Sequence, residues 1–243
     1  MFKDILLELS LLIILPACLV YLIKIVSEHL ANNLFSRWNK FLLISTIVHE
    51  LSHLLFACLF LLKIDSVSLF KINYQTGELG HVNYSYNELS KKDKIGATFT
   101  GLGPVLVIIS ILSFLYYSWF DISGITNLFN DFNIFTLIKE MFNLIFPNGK
   151  FSKVILFYLI FFILSPGLAL SNNDLDSVGI GAKYIIIIAF ISCFIGTTYF
   201  DWPTQTFFNI VILLNFVLLL TIFIELIVIG LIYLIDLLIE IKS

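Results

Sequence analysis

The sequence predicts an all-α polytopic membrane protein of about six transmembrane helices with a short membrane-associated β-hairpin. Three observations lead there. Hydrophobic residues make up 59% of the 243 and charged residues only 13%, against about 45–50% and about 25% in ordinary soluble domains. The mean hydropathy is +1.00. Apolar runs recur at lengths that meet or approach the roughly 20 residues needed to cross a hydrocarbon core of about 30 Å. No soluble module interrupts them, so residues 1–243 read as a single integral membrane domain, with its core over about 41–200.

The first span, residues 5 to about 26, is longer than a signal-peptide core and lacks a small-residue cleavage site, so it is expected to be retained. Residues 27–40 are polar and expected at the interface, where Arg37 and Trp38 suit headgroups. A second span follows from 41 to about 63. Then Val67, Leu69 and Ile72 alternate with polar residues, a turn-like Gln75-Thr-Gly-Glu78 intervenes, and His81-Val-Asn-Tyr-Ser-Tyr86 closes a β-hairpin over 67–86. Backbone groups cannot face lipid unsatisfied, which places the hairpin at the interface or under the shelter of helices.

The third span, 96 to about 120, opens with Gly96-Ala-Thr-Phe-Thr-Gly-Leu-Gly-Pro104. Ala97 and Gly101, four apart, permit close helix approach, and Pro104 is tolerated where a neighbour satisfies the carbonyl it frees. Between 121 and 153, Ile134, Leu137, Ile138, Met141, Phe142 and Ile145 mark one face of an amphipathic surface helix. The fourth run, 154–164, is too short to cross alone and is broken by Pro166-Gly167 before Ser171-Asn-Asn-Asp-Leu-Asp176. Irregular backbone at membrane depth survives only where it is buried or lines a cavity, so this break is expected to border a site. Spans over about 184–200 and 207–239 complete six, with five as the alternative count.

The net charge of −3 and the short cluster Lys91, Lys92, Lys94 offer no basic surface, and no nucleic-acid partner is expected. Cys18, Cys58 and Cys193 lie inside apolar runs without metal or disulfide spacing and read as packing residues.

Within the second span stands His49-Glu-Leu-Ser-His53, an H-E-x-x-H pattern. Residues four apart share a helix face, so both imidazoles can reach one zinc ion (Zn2+) at about 2.0–2.1 Å. Glu50 is placed to accept a proton from water polarised by that ion. Ionisable groups within a span are costly, about 2.5–3.5 kcal/mol for a central charge, which makes them functional candidates by default. Catalytic zinc usually has three protein ligands, and the third must come from elsewhere in the chain.

Asp174, just after the broken helix, is the first choice; Ser171-Asn-Asn-Asp174 also has the form of a helix capping box. Asp176 is an alternative in the same neighbourhood; it lies two residues on, about 200° around a helix, so the two cannot both face the ion once the helix has begun. Glu225, in the last span, is a rival ligand or a polar contact to another span through Asn209 or Asn215. His81 reads as an interfacial, gating or transient-ligand residue, and His29 as a headgroup contact. Asn172 and Asn173 are candidates for helix capping or for donating to a developing oxyanion.

Together, His49-Glu-Leu-Ser-His53 in a span, Gly101-Leu-Gly-Pro104 opening a later one and Asp174 after a broken helix resemble the site-2 protease family of intramembrane zinc metalloproteases. The likeness covers roughly 41–200 and is closest to divergent bacterial relatives with a Ser-x-x-Asp pattern. The family's aspartate commonly sits in an Asp-Gly pair, whereas this chain has Asn173-Asp174-Leu175. The resemblance implies zinc on His49, His53 and Asp174, Glu50 as base, and a membrane-anchored protein or peptide as substrate. It also implies a hairpin that holds an extended substrate by strand addition, and a multi-pass protein of the plasma membrane in contact with the lipid bilayer. The competing class is a nonenzymatic metal-binding transporter or scaffold, or an inactive homologue. Near-absence of charge in the other spans favours the protease.

Overall fold

The computed structural model describes residues 13–38, 42–71, 79–120, 142–143, 145–147, 149–199 and 204–240. Helix α1 is Leu15–Trp38 and α2 is Leu43–Leu59; strands β1 (Lys63–Ser68) and β2 (His81–Ser85) follow. Helix α3 is Lys91–Trp119, α4 is Phe151–Leu164 with a 3-10 turn over Ser165–Leu168, α5 is Asn172–Tyr199 and α6 is Thr204–Glu240. Four stretches among the described residues are long and apolar enough to cross a membrane: Leu42–Leu59, Lys91–Trp119, Phe151–Leu168 and Val211–Leu231. The chain is thus a mostly helical membrane protein with a small antiparallel hairpin.

Several expected boundaries move. Helix α1 runs on through the polar stretch from Ser27 to Trp38, because residues 27–38 hold neither Pro nor Gly to stop a helix. Helix α2 ends at Leu59 rather than near Lys63. Leu61 takes a left-handed φ of 59°, and the Leu62 and Leu61 amides bond back to the Ala57 and Cys58 carbonyls at 2.9 and 3.1 Å. This is a Schellman closure with Leu where Gly is usual. The sharp stop lets β1 begin at Lys63, four residues before the expected hairpin, and β2 pairs back through Val67↔Val82 and Ser68↔His81. The turn at 75–78 and most of the amphipathic segment at 121–153 lie outside the described residues.

Helix α3 opens at Lys91, ahead of Gly96, because Ser90 caps it: its hydroxyl accepts the Asp93 amide at 3.2 Å and donates to the Asp93 carboxylate at 2.8 Å. The run judged too short to cross reaches 18 residues once the 3-10 turn is added to α4. The break at Pro166-Gly167 is as expected, with Pro166 and Gly167 inside that turn.

Helix α2 is inside-out in the manner of a membrane helix. Ser45, Glu50, Ser52, His53 and Ala57 are buried, while Ile44, Leu51, Leu55 and Leu59 face outward. Lipid solvates the apolar face, so the protein interior takes the polar one. Cys18 and Cys58 are also exposed and do not pack inside, as their apolar surroundings had implied. The apolar core lies beside this polar seam and is built on Ile23, Ile108, Leu112, Phe157, Phe161, Leu168 and Val217. Tyr116 stacks edge-on against Phe157 and Phe216 at 5.5 and 5.6 Å, geometry that adds about 0.5–1.5 kcal/mol per pair beyond burial.

Helix α3 runs between α2 and α5. Gly101 and Gly103 are two residues apart, about 200° around a helix, so they open opposite faces. A Cβ on Gly103 would meet the Ser52 carbonyl oxygen at 2.9 Å, and one on Gly101 would meet the Asp174 carbonyl oxygen at 2.7 Å. Both flanking helices therefore approach α3 at backbone distance.

Candidate metal centre

That double approach brings α2 and the start of α5 together around three side chains. His49 and His53, one turn apart on α2, and Asp174 in the first turn of α5 place one ligand atom each within 4.8 Å of the others. The His53 Nε2 lies 3.1 Å from one Asp174 oxygen, the His49 Nε2 lies 3.6 Å from the other, and the two Nε2 atoms are 3.0 Å apart. Ligand atoms on a tetrahedral zinc with bonds of about 2.0–2.1 Å stand about 3.3 Å from one another. Each Nε2 lies at a comparable distance from the other and from a different Asp174 oxygen.

Both tautomers are settled by the other ring nitrogen. His49 Nδ1 donates to the Gly167 carbonyl at 2.7 Å, and His53 Nδ1 donates to the Thr100 carbonyl at 2.7 Å. Backbone carbonyls only accept, so in the neutral imidazoles each proton sits on Nδ1 and each Nε2 offers a lone pair. Both Nε2 atoms then converge on the Asp174 carboxylate, and carbonyl-oriented histidines are the usual outer-shell arrangement of a metal site. The donor set of two imidazoles and one carboxylate suits zinc.

The capping box expected at Ser171-Asn-Asn-Asp174 is present. Its Oδ2 accepts the Ser171 amide at 2.8 Å and the Ser171 hydroxyl at 2.7 Å, and the Asp174 amide donates to the Ser171 hydroxyl at 3.2 Å. The cap fixes the side chain while Oδ1 stays turned to His53.

The remaining candidates go elsewhere. Asp176 is exposed and outside the cluster. Glu225 is buried and accepts from the Ser27 hydroxyl at 2.8 Å, a contact between α1 and α6. The side chain of Asn209 lies outside the described residues, and Asn215 donates to the Val211 carbonyl of its own helix at 2.9 Å. His29 meets the Tyr233 hydroxyl at 3.0 Å. His81 opens β2 opposite Ser68 and is not part of the cluster. Glu50 is 7% exposed, and its side chain packs against Gly80 at the loop end of the strand pair.

Two residues escaped the sequence reading. Lys24 is buried in α1 and donates to the Asn172 side-chain oxygen, tying α1 to the start of α5; a lysine in an apolar run was the signal. Tyr84 in β2 reaches the Ala97 carbonyl at 3.3 Å. Burial raises its phenol above the ordinary pKa, a hydrogen bond to Ser177 works against that, and the Asp174 charge adds to it. No family model matches the chain, and neither characterised proteins nor solved structures give a match.

Proposed function

We propose that this protein is a zinc-dependent intramembrane endopeptidase, a divergent member of the site-2 protease family. It hydrolyses a peptide bond in a membrane-embedded or membrane-proximal segment of an anchored protein. The observation that carries this reading is the convergence of His49 Nε2, His53 Nε2 and the Asp174 carboxylate from two helices. A cation-exporting transporter needs ionisable groups staged across several spans, and this triad is compact instead. Helices α1 and α5 supply the fifth and sixth crossings, and the plasma membrane is the compartment assigned.

His49, His53 and Asp174 would hold the ion, and the Gly167 and Thr100 carbonyls keep the imidazoles in the binding tautomer. When bound, zinc supplies Lewis-acid polarisation of the scissile carbonyl and of water. Glu50 takes a proton from the attacking water and returns it to the leaving amine as the C–N bond breaks. The substrate must be extended, because a helix keeps its carbonyls in internal hydrogen bonds. The hairpin packs on α2 and presents a strand to such a segment.

The test is zinc content by elemental mass spectrometry on the full chain in detergent. One zinc per wild-type chain is expected, lost in both His53→Ala and Asp174→Ala and kept in Glu50→Gln, which should bind zinc without cutting. A wild type that takes up no zinc after reconstitution would overturn the reading.

A further inference from the structure

The Gly101-Leu-Gly-Pro104 segment contains a residue with no metal-binding atom that bears on the metal centre. Pro104 lies inside α3. In an unbroken helix the amide of residue 104 donates to the carbonyl of residue 100. Proline has no N–H, and its ring crowds that same carbonyl and tilts it outward. The Thr100 carbonyl is the acceptor that holds His53 Nδ1 at 2.7 Å, in a buried setting. Gly103, beside Pro104, admits the Ser52 backbone, which brings His53 within reach of the freed oxygen.

We propose that Pro104 is a positioning residue for the metal centre: by withholding an amide from the Thr100 carbonyl it leaves that oxygen to orient His53 and fix its metal-binding tautomer. This rests on the metal-centre reading above. A residue with an amide at 104 would restore the helical bond, and the His53 Nδ1–H would compete for an acceptor already engaged. The other histidine has a parallel arrangement, since the Gly167 carbonyl that holds His49 lies in the 3-10 turn that interrupts the helix.

The inference separates metal affinity from fold stability, because replacing an intrahelical proline favours the helix. Pro104→Ala and the bulkier Pro104→Val are compared with wild type as full chains in detergent. Zinc affinity is measured by chelator competition, apo-protein unfolding by circular dichroism, and the site by the visible spectrum of the cobalt-substituted protein. Expected for either variant are a zinc Kd raised about tenfold to a hundredfold, the range for lost outer-shell partners, an altered cobalt spectrum, and an apo midpoint no lower than wild type. Zinc affinity within twofold of wild type in a folded variant would overturn the proposal while leaving the metal site intact. A fall in affinity accompanied by an equal loss of apo stability in both variants would reduce Pro104 to a packing role and overturn it too. A wild type without zinc or cobalt affinity would overturn both this proposal and the protease reading.

Discussion

Gly101 in α3 stands so close to Asp174 in α5 that a Cβ at residue 101 would lie 2.7 Å from the Asp174 carbonyl oxygen and 3.0 Å from the Ser177 Cβ. Both contacts involve main chain or a short side chain, so nothing flexible can give way. Gly101→Ala is expected to push the start of α5 off α3 and carry Asp174 away from His53. Zinc affinity measured by chelator competition should fall at least about tenfold, as for lost outer-shell support. Gly179→Ala, where an added Cβ meets nothing within 4 Å, should leave it unchanged.

The identity of the third ligand separates three carboxylates. Asp174→Ala should abolish zinc binding, whereas Asp176→Ala and Glu225→Gln should keep about one zinc per chain, since Asp176 is exposed and Glu225 is held by Ser27. Ser171→Ala removes the hydroxyl that bonds both the amide and the carboxylate of Asp174. Its expected cost is about 0.5–2 kcal/mol of helix stability, typical of a lost cap, with a smaller loss of zinc affinity than Asp174→Ala. Zinc lost from Asp176→Ala but not from Asp174→Ala would reverse the assignment.

Much of this centre was legible in the sequence, and the reason is energetic. His49, Glu50 and His53 stand out because lipid leaves few neutral explanations for such residues in a span, and Asp174 because it follows a break that must be sheltered. The extent of α1 was less legible. Polar residues 27–40 marked a segment suited to the interface, and the helix continues into it as far as Trp38, with neither Pro nor Gly to stop it. Glu225 could not be placed from sequence, because Ser27 is 198 positions away and a hydroxyl carries no distinctive pattern. Nor could the roles of Gly103 and Thr100, which depend on which helices flank α3.

On the proposed zinc reading, removing the ion should cost stability as well as activity. The two Nε2 atoms, 3.0 Å apart, and the Asp174 carboxylate come together only in the folded arrangement, so the apo protein loses a partner that binds only that arrangement. Stabilisation grows with the logarithm of ligand excess, about 2.7 kcal/mol at a hundredfold excess over Kd. Treatment with 1,10-phenanthroline is expected to lower the wild-type Tm by several degrees and leave that of His53→Ala where it was. Equal responses in the two proteins would mean that the chelator acts elsewhere.

Gly80, beside the hairpin, lies against the Glu50 side chain. A Cβ on Gly80 would stand 2.8 Å from the Glu50 Cγ and 2.9 Å from both the Ser68 and Leu69 carbonyl oxygens. The two carbonyls belong to the end of β1 and the residue after it, so the added methyl cannot move toward them and presses on Glu50. Gly80→Ala is therefore expected to displace the carboxylate or lift the hairpin from α2. Because neither change touches His49, His53 or Asp174, zinc should stay near one per chain while turnover of a cleavable membrane substrate falls, by about tenfold or more for a misplaced base. Tyr84, in the strand that follows Gly80, is anchored to the Ala97 carbonyl, so Tyr84→Phe should loosen the far end of that strand. Its effect should appear in KM more than in kcat, because it alters how a substrate is held and leaves Glu50 in place. Wild-type turnover in Gly80→Ala would show that the base does not depend on the hairpin.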